Sequence, residues 1–245
     1  MRKFGLLGKG ISYSFSKSYF KQKFEEESIT DAIYKNFDIE DISAFPDIIK
    51  DTDHISGLNV TIPYKQSVIP FLDKLHKKAK KIGAVNTIKI TKKGKLIGYN
   101  TDCYGFQKSL KPYLKLHHKN ALILGTGGAS KAIAYTLKTL GIEYTYVSRK
   151  ASERAISYSD LSNKIIENHQ IIINCTPLGT SPKINACPDI PYDAISDKHI
   201  LFDLIYNPEE TKFLSLGKQN NAIIINGLNM LKLQAEKSWS IWNSK

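Results

Sequence analysis

Between Ala121 and Arg149 the chain reads as a single unit. Ala121-Leu122-Ile123-Leu124 is wholly apolar, Gly125-Thr126-Gly127-Gly128-Ala129-Ser130 follows at once, and Ala132, Ile133, Tyr135, Thr136, Leu137 and Leu140 then recur at helical spacing up to Gly141. A short, unbroken apolar run suits a strand buried on both faces of a parallel sheet. Glycines directly after it permit a tight turn and let backbone N–H groups approach a pyrophosphate at the positive end of the next helix. Tyr144 to Val147 supplies the second strand. Strand, glycine turn and helix in this order predict a Rossmann-type unit, with Gly125, Thr126, Gly127, Gly128 and Ala129 against the phosphates of a dinucleotide. Ser130 replaces the third glycine with another small residue.

The kind of dinucleotide depends on the end of that second strand, where an acidic side chain would bind the ribose hydroxyls of NAD. Here the chain runs Ser148-Arg149-Lys150, with Arg154 close behind, and no carboxylate follows the strand directly. A guanidinium fork suits a 2′-phosphate, so NADP is the expected cofactor.

Around this unit the pattern is α/β. Lys3–Leu7, Ala32–Phe37 and Gly57–Thr61 read as strands, with helical stretches at Ser16–Phe24 and Pro46–Ile49 between them. Val85–Thr91 and Lys95–Tyr99 flank the turn Lys92-Lys93-Gly94, and a helix is expected from Asp102 to about Leu114. Further strands are expected at Ile171–Cys175, Ile200–Leu204 and Ile223–Ile225, which predicts a parallel sheet, and Met230–Trp242 reads as a closing helix.

Composition narrows the function. A net charge of +12 over 245 residues invites a nucleic-acid reading, but the basic residues are scattered. The densest run, Lys77-Lys78-Ala79-Lys80-Lys81, looks like a solvated helix face and has no aromatic stripe beside it, so no nucleic-acid partner is expected. Cys103, Cys175 and Cys187 form no C-x-x-C pair and are expected to be free thiols; His117-His118 is the only close histidine pair, and no metal site is expected. Phe4-Gly5-Leu6-Leu7-Gly8 is too short and glycine-interrupted for a signal peptide, and no apolar run nears the roughly 20 residues of a membrane span, so a cytoplasmic protein is expected.

A dinucleotide loop does not name a reaction. Reduction of a ketone needs a proton donor, and Lys65, in Asn59-Val60-Thr61-Ile62-Pro63-Tyr64-Lys65, is the most suggestive. Asp102, after Asn100-Thr101, offers a matching carboxylate, and Asn86, in Gly83-Ala84-Val85-Asn86-Thr87, a neutral donor and acceptor. Each has a plainer reading: a surface lysine, a helix N-cap and a turn former.

Together with Gly8 to Ser16, Asn174-Cys175-Thr176-Pro177-Leu178-Gly179 and Gly227 to Gln234, these segments resemble, in order and spacing, the motifs of the shikimate/quinate dehydrogenase family, over nearly the whole chain. The resemblance implies two lobes with a cleft between them. Residues 1–103, completed by a C-terminal helix at 228–245, would bind the substrate, and 104–227 would be the NADP-binding Rossmann-type domain. It implies NADPH-dependent, reversible reduction of 3-dehydroshikimate to shikimate in chorismate and aromatic amino acid biosynthesis, by a monomer or homodimer. Lys65 and Asp102 would be the catalytic pair. Ser14 and Ser16 would hold the substrate carboxylate; Thr61, Asn86, Asp102 and Gln234 would bind ring hydroxyls, and Tyr206 would also reach the substrate. Asn174, Thr176, Leu204, Gly227 and Met230 would lie along the cofactor, with Ser148, Arg149 and Lys150 at its 2′-phosphate. The family also holds quinate/shikimate dehydrogenases that accept NAD, and a nucleotide-responsive binding protein without turnover would keep the same fold. Lys17 and Tyr13 stand where the family commonly has proline and histidine, Ser148 where it has asparagine. Lys77 replaces an acidic residue near the cofactor, so that contact is not carried over.

Overall fold

The computed structural model describes residues 1–12 and 14–244; the departure at Tyr13 lies outside the described residues. Two compact units divide the chain, Met1–Thr101 with Ala235–Lys245, and Asp102–Gln234. In chain order the elements are β1 (Arg2–Gly8), α1 (Phe15–Glu26), β2 (Ala32–Asp38), α2 (Phe45–Asp51), β3 (Ile55–Val60), β4 (Lys74–Leu75), α3 (Lys77–Ile82), β5 (Thr87–Ile90) and β6 (Leu96–Tyr99). There follow α4 (Asp102–Leu110), β7 (Asn120–Leu124), α5 (Gly128–Thr139), β8 (Glu143–Ser148), β9 (Ala155–Ser157), α6 (Asn163–Asn168), β10 (Ile171–Asn174), β11 (Ile200–Asp203), α7 (Lys212–Gln219), β12 (Ile223–Ile225) and α8 (Leu228–Trp242).

The first unit is a mixed sheet in the order β2-β1-β3-β5-β6-β4. β1 pairs in parallel with β2 and β3, while β5 runs antiparallel to both β3 and β6. Alternation along β1 sends Phe4 and Leu6 to one face, where Phe20 and Phe24 of α1 and Trp242 of α8 cover them. Leu7 goes to the other face, with Leu58, Val60, Val85 and Ile88. Trp242 fixes the C-terminal helix on this sheet. Its ring stacks on Phe4 at 4.9 Å and its Nε1 donates to Ile88 O at 2.9 Å. A side chain at Gly57 would meet that nitrogen at 2.2 Å, so only glycine admits the tryptophan there.

The second unit is a parallel sheet in the order β12-β11-β10-β7-β8-β9. Every residue of Ala121–Leu124, Ile171–Ile173 and Ile200–Phe202 is fully buried, because helices cover both faces. Ala121, Ile123, Ile171, Ile173, Ile200 and Phe202 pack on Ile133 and Leu137 of α5 and Phe106 of α4. Leu122, Leu124, Ile172 and Leu201 pack on Ile166 of α6 and Phe213 of α7. Burying one such leucine or isoleucine contributes about 1.5–3 kcal/mol. α4 stops at Leu110 and gives way to a 3-10 turn at Lys111–Tyr113, short of Leu114, because Pro112 has no N–H to continue the ladder. No helix among the described residues is long and apolar enough to cross a membrane.

Candidate active site

In the second unit the chain leaves β7 toward β8 on one side, while β10 lies on the other, so the strand order reverses between β7 and β10. A doubly wound sheet opens a crevice at the carboxyl ends of the strands at such a point. Gly125 sits there with φ +102°, a conformation L side chains rarely adopt, and an added Cβ would lie 3.2 Å from Thr176 Cγ2 and 3.3 Å from Cys175 O. Its N–H donates to Val147 O at 2.8 Å, which ties the turn to β8. Gly127 caps α5 in extended backbone with open space where a side chain would be, so a phosphate can approach the first N–H groups of this twelve-residue helix. Ser130 is fully buried and donates to Gly127 O at 2.7 Å, which closes the loop without a third glycine.

Ser148, Arg149 and Lys150 form the turn after β8. The Ser148 hydroxyl donates to Lys150 O, while Arg149 and Lys150 are exposed and make no ion pair among the described residues. These features fit a dinucleotide with a phosphorylated ribose. Among the described residues no three His, Cys, Asp or Glu side chains group to hold a metal ion.

One residue inside the expected strand Ile200–Leu204 organises the rest of this crevice. Asp203 ends the apolar run of β11, fully buried, and its carboxylate accepts from Thr211 Oγ1 at 2.6 Å, Ile205 N at 3.0 Å and Asn174 Nδ2 at 3.1 Å. Asn174 Oδ1 in turn accepts from Thr176 N and Oγ1, at 3.0 and 2.6 Å. Gly227 N donates to Ile205 O at 2.9 Å, and a side chain on Gly227 would lie 2.1 Å from Leu204 O, so the Leu204 and Gly227 backbones meet directly. Asn174, Thr176, Leu204 and Gly227 are thus brought together by one carboxylate and one glycine contact. The signal in the sequence is an aspartate closing an otherwise apolar strand, since a buried carboxylate has to be partnered.

Burial pushes the Asp203 carboxyl up to about 6 from 3.8, against the pull of its three donors. The folded chain therefore holds a proton between about pH 4 and pH 6 that the unfolded chain has released. Stability from this group is full below pH 4 and falls by on the order of 3 kcal/mol as pH rises through 6. Asp203→Asn keeps the shape and removes the titration, exchanging one acceptor oxygen for an N–H donor that the Thr211 hydroxyl can accept, so urea unfolding should show the wild type losing stability relative to the variant over that range. Parallel pH profiles for the two would sink the assignment.

In the first unit the loop after β1 is held by Asp38, whose two oxygens accept from Gly10 N at 2.8 Å and Ile11 N at 3.0 Å. Asn36 Nδ2 donates to Ile11 O at 2.9 Å. The loop ends at Ser14, which caps α1 by accepting from Ser16 N at 3.2 Å. Thr61 follows β3, and its N–H donates to Leu7 O at 2.9 Å. The turn to Lys65 is pinned on both sides: Tyr64 is buried with its hydroxyl on Ile39 O at 2.8 Å, and Lys65 O accepts from Val85 N at 2.7 Å. Asn86 is no surface turn former, being only 2% exposed, with Oδ1 accepting from Thr101 N at 2.6 Å. In the second unit Asp102, 5% exposed, opens α4, Tyr206 follows β11 half-buried, and Met230 and Gln234 are buried on α8, where Gln234 Nε2 donates to Leu231 O at 2.9 Å.

A glycine phosphate loop at the switch point of a doubly wound sheet, in a chain that also carries a unit of buried polar side chains, defines a dinucleotide-dependent α/β oxidoreductase. The profile of the shikimate dehydrogenase substrate-binding domain matches residues 6–88. The shikimate dehydrogenase (NADP(+)) of Clostridium beijerinckii is 40% identical, over 99% of this chain and 92% of that one. That of Methanosphaera stadtmanae is 37% identical over 98% and 91%. The crystal structure of shikimate dehydrogenase from Aquifex aeolicus superposes with a TM-score of 0.87 at 33% identity, covering 99% of this chain and 92% of that chain. The chain belongs to the shikimate dehydrogenase family.

Proposed function

We propose that this protein catalyses the reversible, NADPH-dependent reduction of 3-dehydroshikimate to shikimate in the cytoplasm. Relatives named for that NADP-linked activity match almost the whole chain, and this carries the reading. The reduced nicotinamide, when bound, supplies the hydride. Gly125 to Ala129 would hold its pyrophosphate and Ser148, Arg149 and Lys150 its 2′-phosphate, with Asn174, Thr176, Leu204, Gly227 and Met230 along the rest. Ser14 and Ser16 donate to the substrate carboxylate, a task hydroxyls perform without a full counter-charge. Thr61, Asn86, Asp102, Tyr206 and Gln234 orient the ring. Lys65, with Asp102, delivers the proton to the carbonyl oxygen as the hydride reaches its carbon, and accepts it in the reverse direction.

Steady-state kcat/KM with NADP+ and NAD, each with shikimate and quinate, tests this reading. The expected order places shikimate with NADP+ first. Preference for NAD and quinate would make the chain a quinate-type enzyme, and tight NADPH binding without turnover would make it a binding protein.

A further inference from the structure

Six side chains of the first unit form one continuous buried chain of hydrogen bonds. The Tyr34 phenol, which burial keeps protonated, donates to Asn59 Oδ1 at 2.9 Å. Asn59 Nδ2 donates to Ser238 Oγ at 3.0 Å. Ser238 Oγ lies 2.7 Å from Thr87 Oγ1 and 3.1 Å from Thr101 Oγ1, and those hydroxyls reach Asn86 Oδ1 at 3.3 and 3.2 Å. No member exceeds 8% exposure, and Thr87 and Ser238 are fully buried.

Parts of the chain are fixed by groups that can only donate. Ser238 accepts from the Asn59 amide N–H, while in each of its contacts with Thr87 and Thr101 either hydroxyl can be the donor. The backbone N–H of Thr101 donates to Asn86 Oδ1, which fixes which end of that carboxamide faces inward. Ser238 belongs to α8, where an alanine would fill a helix-to-sheet contact as well and leave no hydroxyl to satisfy. Its hydroxyl therefore calls for a use, and Asn86 at the end of the chain supplies one.

We propose that Ser238 and Thr87 are positioning residues that hold the Asn86 carboxamide in the orientation that meets the substrate. This rests on the functional reading above, in which Asn86 takes a ring hydroxyl of the substrate. Removing either link loosens the Asn86 carboxamide, which Thr101 is then left to hold through its N–H and hydroxyl, while the cofactor residues are untouched.

The test uses the full chain with Ser238→Ala, Thr87→Val and Thr87→Ser, assayed with shikimate and NADP+. Ser238→Ala and Thr87→Val are expected to lower kcat/KM for shikimate about tenfold, chiefly through KM, with KM for NADP+ within about twofold of wild type. Thr87→Ser keeps the hydroxyl and is expected to stay near wild type. The proposal is overturned if the two hydroxyl-deleted variants fold and keep shikimate kcat/KM, if KM for both reactants rises together, or if Thr87→Ser is as impaired as Thr87→Val. Should Ser238→Ala not fold, the Thr87 pair decides; if neither deletion folds, the chain is structural only and the proposal fails. A wild type without shikimate turnover removes the functional reading and this proposal with it, whereas an active wild type with unaffected variants removes this proposal alone.

Discussion

Lys65→Ala is expected to lower kcat for shikimate oxidation about a thousandfold while leaving the KM for shikimate within about threefold. The reason lies in how its backbone is held. The neighbouring Tyr64 is buried and bonded to Ile39 O, and the Lys65 carbonyl accepts from Val85 N, so truncating the side chain beyond Cβ leaves the turn from Thr61 in place. Ground-state binding falls to other groups in the proposed function, and what disappears is the proton transfer that accompanies hydride movement. Lys65→Arg sharpens the test, because a guanidinium keeps the charge but does not give up its proton in the working range. It is expected to remain as slow as the alanine variant. Steady-state rates with saturating NADP+ check both, and a near-normal kcat for Lys65→Ala would remove the lysine from the mechanism.

What could be read from the linear chain divides along physical lines. Ala121–Leu124, Ile171–Ile173 and Ile200–Phe202 announce themselves because strands covered on both faces have no room for polar residues, and their burial is complete. The phosphate loop is equally plain, since positive φ at Gly125 and close approach to Thr176 leave few residue types open. The short elements β4, β9 and α6 are a different matter. Two to six residues carry too little periodicity to separate a strand or a helical turn from a loop, and neighbouring strands and caps decide. β5 begins at Thr87, two residues later than the apolar pattern predicts, because Val85 N is taken by Lys65 O, outside the neighbouring strands.

The candidate residues themselves were recognisable through local motifs, but their supports were not. Ser238 and Asn59 meet across 179 residues of chain, and Thr101 and Ser238 across 137. A serine in an amphipathic helix and a threonine in a strand are ordinary occupants of those elements, so nothing local marks them. Asp203 is intermediate: its place at the end of an apolar run signals a partnered carboxylate, yet only the fold shows that the partners are Thr211, Ile205 and Asn174. Residues proposed to touch ligands are therefore more visible in this sequence than those that hold them.

Arg149→Ala is expected to lower kcat/KM for NADPH by about 30-fold and to leave the value for NADH within about twofold. The two cofactors differ only in the 2′-phosphate, so any group that reads that phosphate must discriminate between them. Arg149 stands exposed at the end of β8, without an ion pair among the described residues, so its guanidinium is available to an incoming dianion. Lys150 is held differently, since its carbonyl accepts from Ser148 Oγ, which shapes the turn through the backbone and leaves its ammonium as a point charge. A planar fork can give two parallel hydrogen bonds to phosphate where an ammonium gives one, so the arginine is expected to matter more than the lysine. Raising the salt concentration should narrow the gap between NADPH and NADH in the wild type and change it little in the variant, because only the former relies on charge pairing at a solvent-exposed site. Equal losses with NADPH and NADH would show that Arg149 serves the turn and not the phosphate, and the cofactor preference would then have to come from Lys150 or Arg154.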